Sequence, residues 1–323
     1  MAYTIIGCGS ALPERTVTND ELSGFLDTSD EWIRTRTGIE TRHVCTAESL
    51  DELAEAACRN ALASAGLEVS DIDLIVCSTT SGDHLMPAEA CAVAERLGAA
   101  CPAFDVSAAC AGFVFALDVA DGYFARGRAK HALILSAEKM SRLMDWEDRT
   151  TCVLFGDGAA AVVAEAGGES PIWTHLVTKP DVASLDVPGL AGESPFDERR
   201  AEAPASHLTM KGRKVFRFAV SSMEQELKLL VAETGIPLSA IDHFIFHQAN
   251  ERILESVCKR LDLPEEKVVR TIHETGNISS ACIALALDRL DRAGELHEGD
   301  LAVLCGFGAG LDVGTCLIRW KKA

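Results

Sequence analysis

Residues 65–80, AGLEVSDIDLIVCSTT, return 169 positions later as residues 234–249, TGIPLSAIDHFIFHQA. Gly66, Ser70, Ile72 and Asp73 fall on Gly235, Ser239, Ile241 and Asp242. Each copy follows an amphipathic helical segment, LDELAEAACRNALAS or FAVSSMEQELKLLVAE, and runs into an apolar stretch of strand length. Farther along, AACAGFVFALDVA is echoed by GNISSACIALALDRL, and KHALILSAE by GDLAVLCGFG. The order in each half is helix, strand, helix, strand, helix, strand. That alternation predicts an α/β fold with a mostly parallel sheet covered by helices. Its repetition predicts two similar halves related by a pseudo-twofold axis.

The junction at 166–206 is rich in Gly, Pro, Ser and Asp and keeps no helical period. It reads as a strand-plus-loop linker between an N-terminal half, 1–165, and a C-terminal half, 207–323. With 323 residues, 48% of them apolar, the chain can bury a large core. The opening MAYTIIGCGS lacks a basic start, and no run approaches the roughly 18 apolar residues of a membrane span, so neither secretion nor membrane insertion is expected. Twelve cysteines without C-x-x-C spacing point to reduced thiols in a cytosolic protein. The 30 basic and 49 acidic side chains leave a net charge of −19, which argues against general nucleic-acid binding.

The repeat singles out three polar side chains. Cys110 lies where an apolar run meets a small-residue helix, and adding 167 reaches Asn277 at a similar corner. Residue 78 ends the strand of the first copy, and adding 169 reaches His247. Taken singly, the three read as a core thiol, a helix cap and a structural histidine. Together they occupy strand ends, where α/β folds place their sites. A cysteine at a helix N-terminus is expected to favour thiolate, and its small neighbours Ala108, Ala109, Ala111 and Gly112 leave room for a bulky thioester. Imidazole and carboxamide can both donate to an oxygen on which charge develops, and the glycines of GFGAG (306–310) allow a backbone donor to approach. His243 and His247 would lie roughly 13 Å apart on a strand, so they share no metal.

These residues sit in segments that resemble a known family. TSDEWIRTRTGIETRH (28–43), CPAFDVSAACAGFVFAL (101–117), DRTTCVLFGDGAAA (148–161), HQANERI (247–253), the Gly276-Asn277 pair and GFGAG are similar to β-ketoacyl-[acyl-carrier-protein] synthase III, a condensing enzyme of the thiolase superfamily. The likeness runs nearly end to end. It implies a duplicated five-layer α/β/α/β/α sandwich, usually a homodimer, with acyl-CoA as a substrate and no cofactor. By this resemblance Cys110 would carry the primer acyl group. His247 and Asn277 would bind the thioester oxygen of malonyl-[acyl-carrier protein] as CO2 leaves. Backbone N–H groups of Cys110 and Ala309 would form an oxyanion hole.

The resemblance further implies that Trp32 and Arg149 hold the CoA adenine, with Thr28, Arg36 and Asn250 as other CoA contacts. Gln248, Arg252, Arg217 and Lys259 would meet the carrier protein. The charge pattern agrees, since Lys211, Arg213, Lys214 and Arg217 form a basic run in an acidic chain, suited to an acidic carrier.

The chain departs from the family pattern at Thr275, where an aromatic or His is usual, and at Asp312, where Thr or Ser is usual. Met86 occupies a position where the family carries a pocket-lining residue contributed across the dimer. These departures bear on primer length and branching. Cys305 is the candidate for the second cysteine of a thiolase, but it falls one residue out of register with the glycines, which turns its side chain to the other face. The main alternative is a related condensing or acyl-transferring enzyme of secondary metabolism. A papain-like Cys-His-Asn hydrolase fits the duplicated plan and the small-residue cysteine corner less well, and retention of all three groups argues against a non-catalytic binding module.

Overall fold

Ser49 begins the first long helix by accepting the N–H of Glu52, whose carboxylate returns the bond to the Ser49 N–H. Its apolar positions at 50, 53, 54, 57, 58, 61 and 62 make one buried stripe, and Gly66 ends it in the left-handed region. A left-handed glycine likewise ends four more helices, at Gly38, Gly98, Gly235 and Gly294. The computed structural model describes residues 3–189 and 207–321. The first half contains β1 (Tyr3–Ala11), α1 (Asp30–Thr37), α2 (Leu50–Ala65), β2 (Leu74–Ser78), α3 (Glu89–Leu97), β3 (Ala103–Val106), α4 (Gly112–Ala125), β4 (His131–Lys139) and β5 (Asp157–Ala166). The second contains β6 (Trp173–Thr178), α5 (Gly212–Thr234), β7 (His243–Phe246), α6 (Glu251–Leu261), α7 (Ala281–Ala293), β8 (Leu301–Gly308) and β9 (Asp312–Arg319).

The first sheet runs β1-β5-β4-β2-β3 and the second β7-β8-β9-β6. Both are mixed, which differs from the mostly parallel sheet expected of the alternation. Parallel pairing is confined to β3-β2-β4 and to β7-β8, while β4-β5, β5-β1, β8-β9 and β9-β6 are antiparallel. The cause is the connections: β8 returns as β9 through a tight turn, with no helix to carry the chain back for a parallel strand. Where β3 stands in the first half, the second has only a bridge between Phe244 and Val268.

The layers follow from which face each element buries. Helices α2 and α3 cover the outer face of the first sheet through Leu53, Ala57, Ala61 and Val93 against Ile75, Leu133 and Val163. Helices α5 and α6 cover the second through Met223, Leu227, Leu254 and Val257 against Phe244, Val303 and Leu317. Between the sheets lie α4 and α7, with Phe113, Leu117, Ile283 and Leu287 packed against Ile134, Val162, Leu304 and Ile318. Five layers result, α/β/α/β/α. Strand β6 lies inside the segment read as linker and pairs with β9, so the second sheet begins well before residue 207. Residues 190–206 of that segment lie outside the described residues. All twelve cysteines are free thiols, and no helix among the described residues is long and apolar enough to cross a membrane.

Candidate active site

The two inner helices begin at the same place, and the polar residues of the repeat gather there. Cys110 sits in a single helical turn, Ala109–Ala111, just before α4. His247 directly follows β7, and Asn277 lies before α7. All three line one cavity of about 840 Å³, together with Ala309, Trp32, Arg36 and Asn250. Its walls are mostly apolar, through Met140, Leu154, Leu208, Phe216 and Phe307.

Backbone packing brings the second half up to Cys110. A Cβ added at Gly308 would stand 2.6 Å from the Cys110 nitrogen, and one at Gly306 would stand 2.8 Å from Ala111 Cα. Only glycine lets β8 approach the nucleophile turn so closely. Ala309, next along, therefore borders the cavity beside Cys110. Cys305 points away: it is buried, accepts a bond from the Thr315 hydroxyl at 3.2 Å and does not line the cavity.

Cys110 Sγ lies 3.4 Å from Ser279 Oγ, a residue the sequence reading missed. Burial pushes the thiol up to about 12, while the Ser279 hydroxyl pulls it down. Burial thus opposes the thiolate expected of a helix terminus. His247 is buried with Nδ1 unpartnered, its ring edge-on to Phe307 at 5.1 Å. Burial lowers it to about 3, so the imidazole is neutral at ordinary pH. The Asn277 carboxamide oxygen accepts the Ser279 N–H at 2.8 Å, which fixes the side chain and leaves its NH2 to the cavity it lines. Ser279 itself is held at φ +50°, a left-handed conformation unusual for a residue with a Cβ.

At the cavity mouth, Ser29 caps α1 through the Trp32 N–H, and Gly38, at φ +80°, ends it. A Cβ at Gly38 would meet Glu251 Cβ at 2.5 Å, so this turn presses α1 against α6. The guanidinium groups of Arg36 and Arg149 lie 4.6 and 5.2 Å from the Trp32 ring centre. A base stacked between Trp32 and Arg149 needs contact of about 3.5 Å on each side, so Arg149 must swing out to admit one. Arg149 is also tied to the carboxylate and carbonyl of Asp27. Thr28 and Arg149 flank the cavity without lining it. Asn250 caps α6 through the Arg252 N–H at 2.9 Å and donates to the Arg36 carbonyl at 3.0 Å, joining the two helices.

Arg252 and Lys259 are exposed on α6, and Arg217 is exposed on α5. Gln248 is not with them. It is wholly buried, donates to the Phe246 and Val269 carbonyls at 2.8 and 3.1 Å and accepts the Thr271 N–H at 3.1 Å. A side chain so enclosed touches no carrier protein, and that expectation is withdrawn. Among the departures, Thr275 is buried and bonded to the Thr271 carbonyl, Asp312 lines the cavity and accepts the Thr178 hydroxyl at 2.5 Å, and Met86 is exposed. No group of three His, Cys, Asp or Glu able to hold a metal occurs among the described residues.

Comparison with known proteins agrees with this architecture. Residues 104–180 match the profile of 3-oxoacyl-[acyl-carrier-protein (ACP)] synthase III, and residues 231–320 match the profile of its C-terminal part. A β-ketoacyl-[acyl-carrier-protein] synthase III of Xanthomonas campestris is 45% identical over 319 residues, 98% of each chain. The crystal structure of the 3-oxoacyl-(acyl carrier protein) synthase III of Pseudomonas aeruginosa PAO1 superposes with a TM-score of 0.91 at 40% identity, covering 100% of this chain and 99% of its own. That of the Aquifex aeolicus enzyme gives 0.91 at 38%, covering 99% and 100%. Matches of this depth over the whole length, on a chain with the duplicated five-layer fold, mean that it belongs to the 3-oxoacyl-[acyl-carrier-protein] synthase III family.

Proposed function

We propose that the chain condenses an acyl-CoA primer with malonyl-[acyl-carrier protein], giving 3-oxoacyl-[acyl-carrier protein], CoA and CO2, and so initiates fatty acid synthesis. The observation that carries this reading is the joint of the two inner helices. There a buried thiol, a neutral imidazole and a carboxamide of fixed orientation share one apolar cavity.

In the first half-reaction the Cys110 sulfur forms a bond to the acyl carbon and the CoA sulfur leaves. The thiol surrenders its proton as it attacks, with neutral His247 as the acceptor, and that proton returns to the departing CoA thiolate. The N–H groups of Cys110 and Ala309 stabilise the acyl oxyanion. In the second, the malonyl carbon–carboxylate bond breaks, CO2 departs, and the enolate oxygen accepts bonds from His247 and the Asn277 NH2. The enolate carbon attacks the acyl-cysteine, the sulfur leaves as thiolate, and a proton from solvent restores the thiol. A neutral imidazole suits both tasks, since it can take a proton in one step and donate a bond in the other.

Trp32, Arg36, Arg149, Thr28 and Asn250 border the CoA, with the adenine entering once Arg149 moves off Trp32. Arg217, Arg252 and Lys259 attract an acidic carrier. Exposed Leu85 and Met86 suit a contact with a second copy in a homodimer, and twelve free thiols suit the cytosol.

Intact-protein mass and CO2 release, measured side by side, test the assignment. The parent protein gains one acyl group from acetyl-CoA, and peptide mapping places it within residues 104–117. Cys110→Ala gains none but still releases CO2 from malonyl-[acyl-carrier protein]. Asn277→Ala is acylated yet loses condensation by on the order of 100-fold, the scale of one oxyanion donor, and His247→Ala loses as much and is also acylated more slowly, because the proton acceptor is gone. Label on Cys305, or an Asn277→Ala protein that decarboxylates normally but cannot be acylated, overturns it.

A further inference from the structure

A buried carboxyl group, unused in these steps, stands behind the site. Glu138 is the penultimate residue of β4 and is fully buried, with no ion-pair partner among the described residues. Oε2 accepts the Thr80 N–H at 3.1 Å, the Thr80 hydroxyl at 3.3 Å and the Ser81 hydroxyl at 2.6 Å. Oε1 accepts the Ser280 hydroxyl, from the other half of the molecule, at 2.8 Å. A carboxyl group placed without a cation is costly and persists only where its bonds are all made.

Ser280 is also unusual. It stands at the N-cap of α7, where a serine ordinarily accepts an N–H from the first turn of its own helix, yet its side chain makes no such bond. The hydroxyl turns instead to Glu138 and, at 3.3 Å, to the Ser78 carbonyl. Immediately before it comes Ser279, at φ +50°. A residue with a Cβ stays in that region only when its neighbours hold it. Asn277 Oδ1 grips Ser279 from one side, and the Ser280–Glu138 bond holds the chain on the other.

From this geometry we infer that Glu138 is a positioning residue: through Ser280 it fixes the left-handed turn at Ser279, and with it the hydroxyl facing Cys110 and the carboxamide of Asn277. The inference rests on the proposed condensation for its kinetic readout, and has a second readout that does not. Burial raises the Glu138 pKa, and the bonds from Ser81, Thr80 and Ser280 pull against it.

A double-mutant cycle over Glu138→Ala and Ser280→Ala tests it, with Glu138→Gln as the conservative variant. Each alanine variant is expected to lower kcat for condensation at least tenfold while the KM for the carrier substrate stays within twofold, since the docking surface lies elsewhere. The double variant is expected to be no worse than the poorer single. Glu138→Gln should recover most of the rate, because its amide oxygen can accept the Thr80 and Ser81 donors and its NH2 can reach Ser280. Alkylation of Cys110 by iodoacetamide, which needs no substrate, should slow at least threefold in Ser280→Ala as Ser279 shifts. This readout stands even if the condensation reading fails, and Ser280→Ala removes only one hydroxyl should Glu138→Ala not fold. Additive effects of the two substitutions, or parental kcat and alkylation in Ser280→Ala, overturn the inference.

Discussion

Cys110 Sγ and Ser279 Oγ stand 3.4 Å apart, and the residues are separated by 169 positions, the period of the internal repeat. The same period carries β2 onto β7 and the start of α4 onto the start of α7. The thiol and its nearest hydroxyl are thus counterparts, meeting across the axis that relates the two halves.

Removing that hydroxyl should show what it does for the thiol. Ser279 draws the Cys110 pKa down against the effect of burial. In Ser279→Ala the pH profile of Cys110 alkylation should move to higher pH, and acylation by acyl-CoA should slow by about tenfold, the worth of one bond to a charged group. An unmoved alkylation profile would show that the contact is only packing.

The exposed cations of α6 and the buried amide of Gln248 should behave in opposite ways. Arg252→Glu and Lys259→Glu are expected to raise the KM for malonyl-[acyl-carrier protein] several-fold at low salt, with the difference fading at high salt. Acylation by acyl-CoA should change little. Gln248→Ala leaves buried carbonyls and an N–H unpaired, so it should cost about 1–3 kcal/mol of stability without altering the salt dependence. Salt titrations of KM and chemical denaturation separate the two classes.

Close approach of β8 gives a steric test. Gly308→Ala would drive a methyl group to 2.6 Å from the Cys110 nitrogen. The turn must shift, so acyl-enzyme formation is expected to fall below detection by mass, with CO2 release less affected. Normal acylation of this variant would mean that the oxyanion hole lies elsewhere.

A pH test lies outside the cavity, at Glu89. Burial, with Asp51 and Asp83 alongside, pushes this carboxyl up to about 8, and its Oε2 accepts the Asp83 N–H at 2.9 Å. Asp105 lies on its backbone side, accepting the Glu89 N–H. An unfolded glutamate titrates near 4.3, so between that pH and about 8 the native protein holds the extra proton. Stability must then fall as pH rises through this window. Melting temperatures from pH 5 to 8.5 should decline in the parent protein and decline less in Glu89→Gln. A parallel decline in both would remove Glu89 as the cause.

Much of this was legible from the repeat. Gly66 and Gly235 terminate α2 and α5, and the apolar runs after them became β2 and β7. What escaped was set by contacts between distant segments. Counting 167 from Cys110 reached Asn277, whereas the period of 169 reaches Ser279, and only the packing of the two turns shows both at the site. Gln248, beside His247 in a polar-looking HQAN, gave no sign that its amide bonds inside the fold. The thiol state of Cys110 depends on how completely the other half covers it, which no local pattern encodes. Mixed sheets arose because connection geometry, not the strands' own composition, decides their direction.

Helix α7 is buried continuously from Ala281 to Asp288, leaving that stretch no side for water. A polypeptide comprising one half alone would present such a surface to solvent and could persist only as a pair. Any single-copy ancestor of this chain would therefore have been an obligate dimer, and fusing two copies would have turned an encounter between molecules into a permanent one. The thiol and the carboxamide sit where the two halves meet. At one repeat-related point the first half carries Cys110 and the second Ser279.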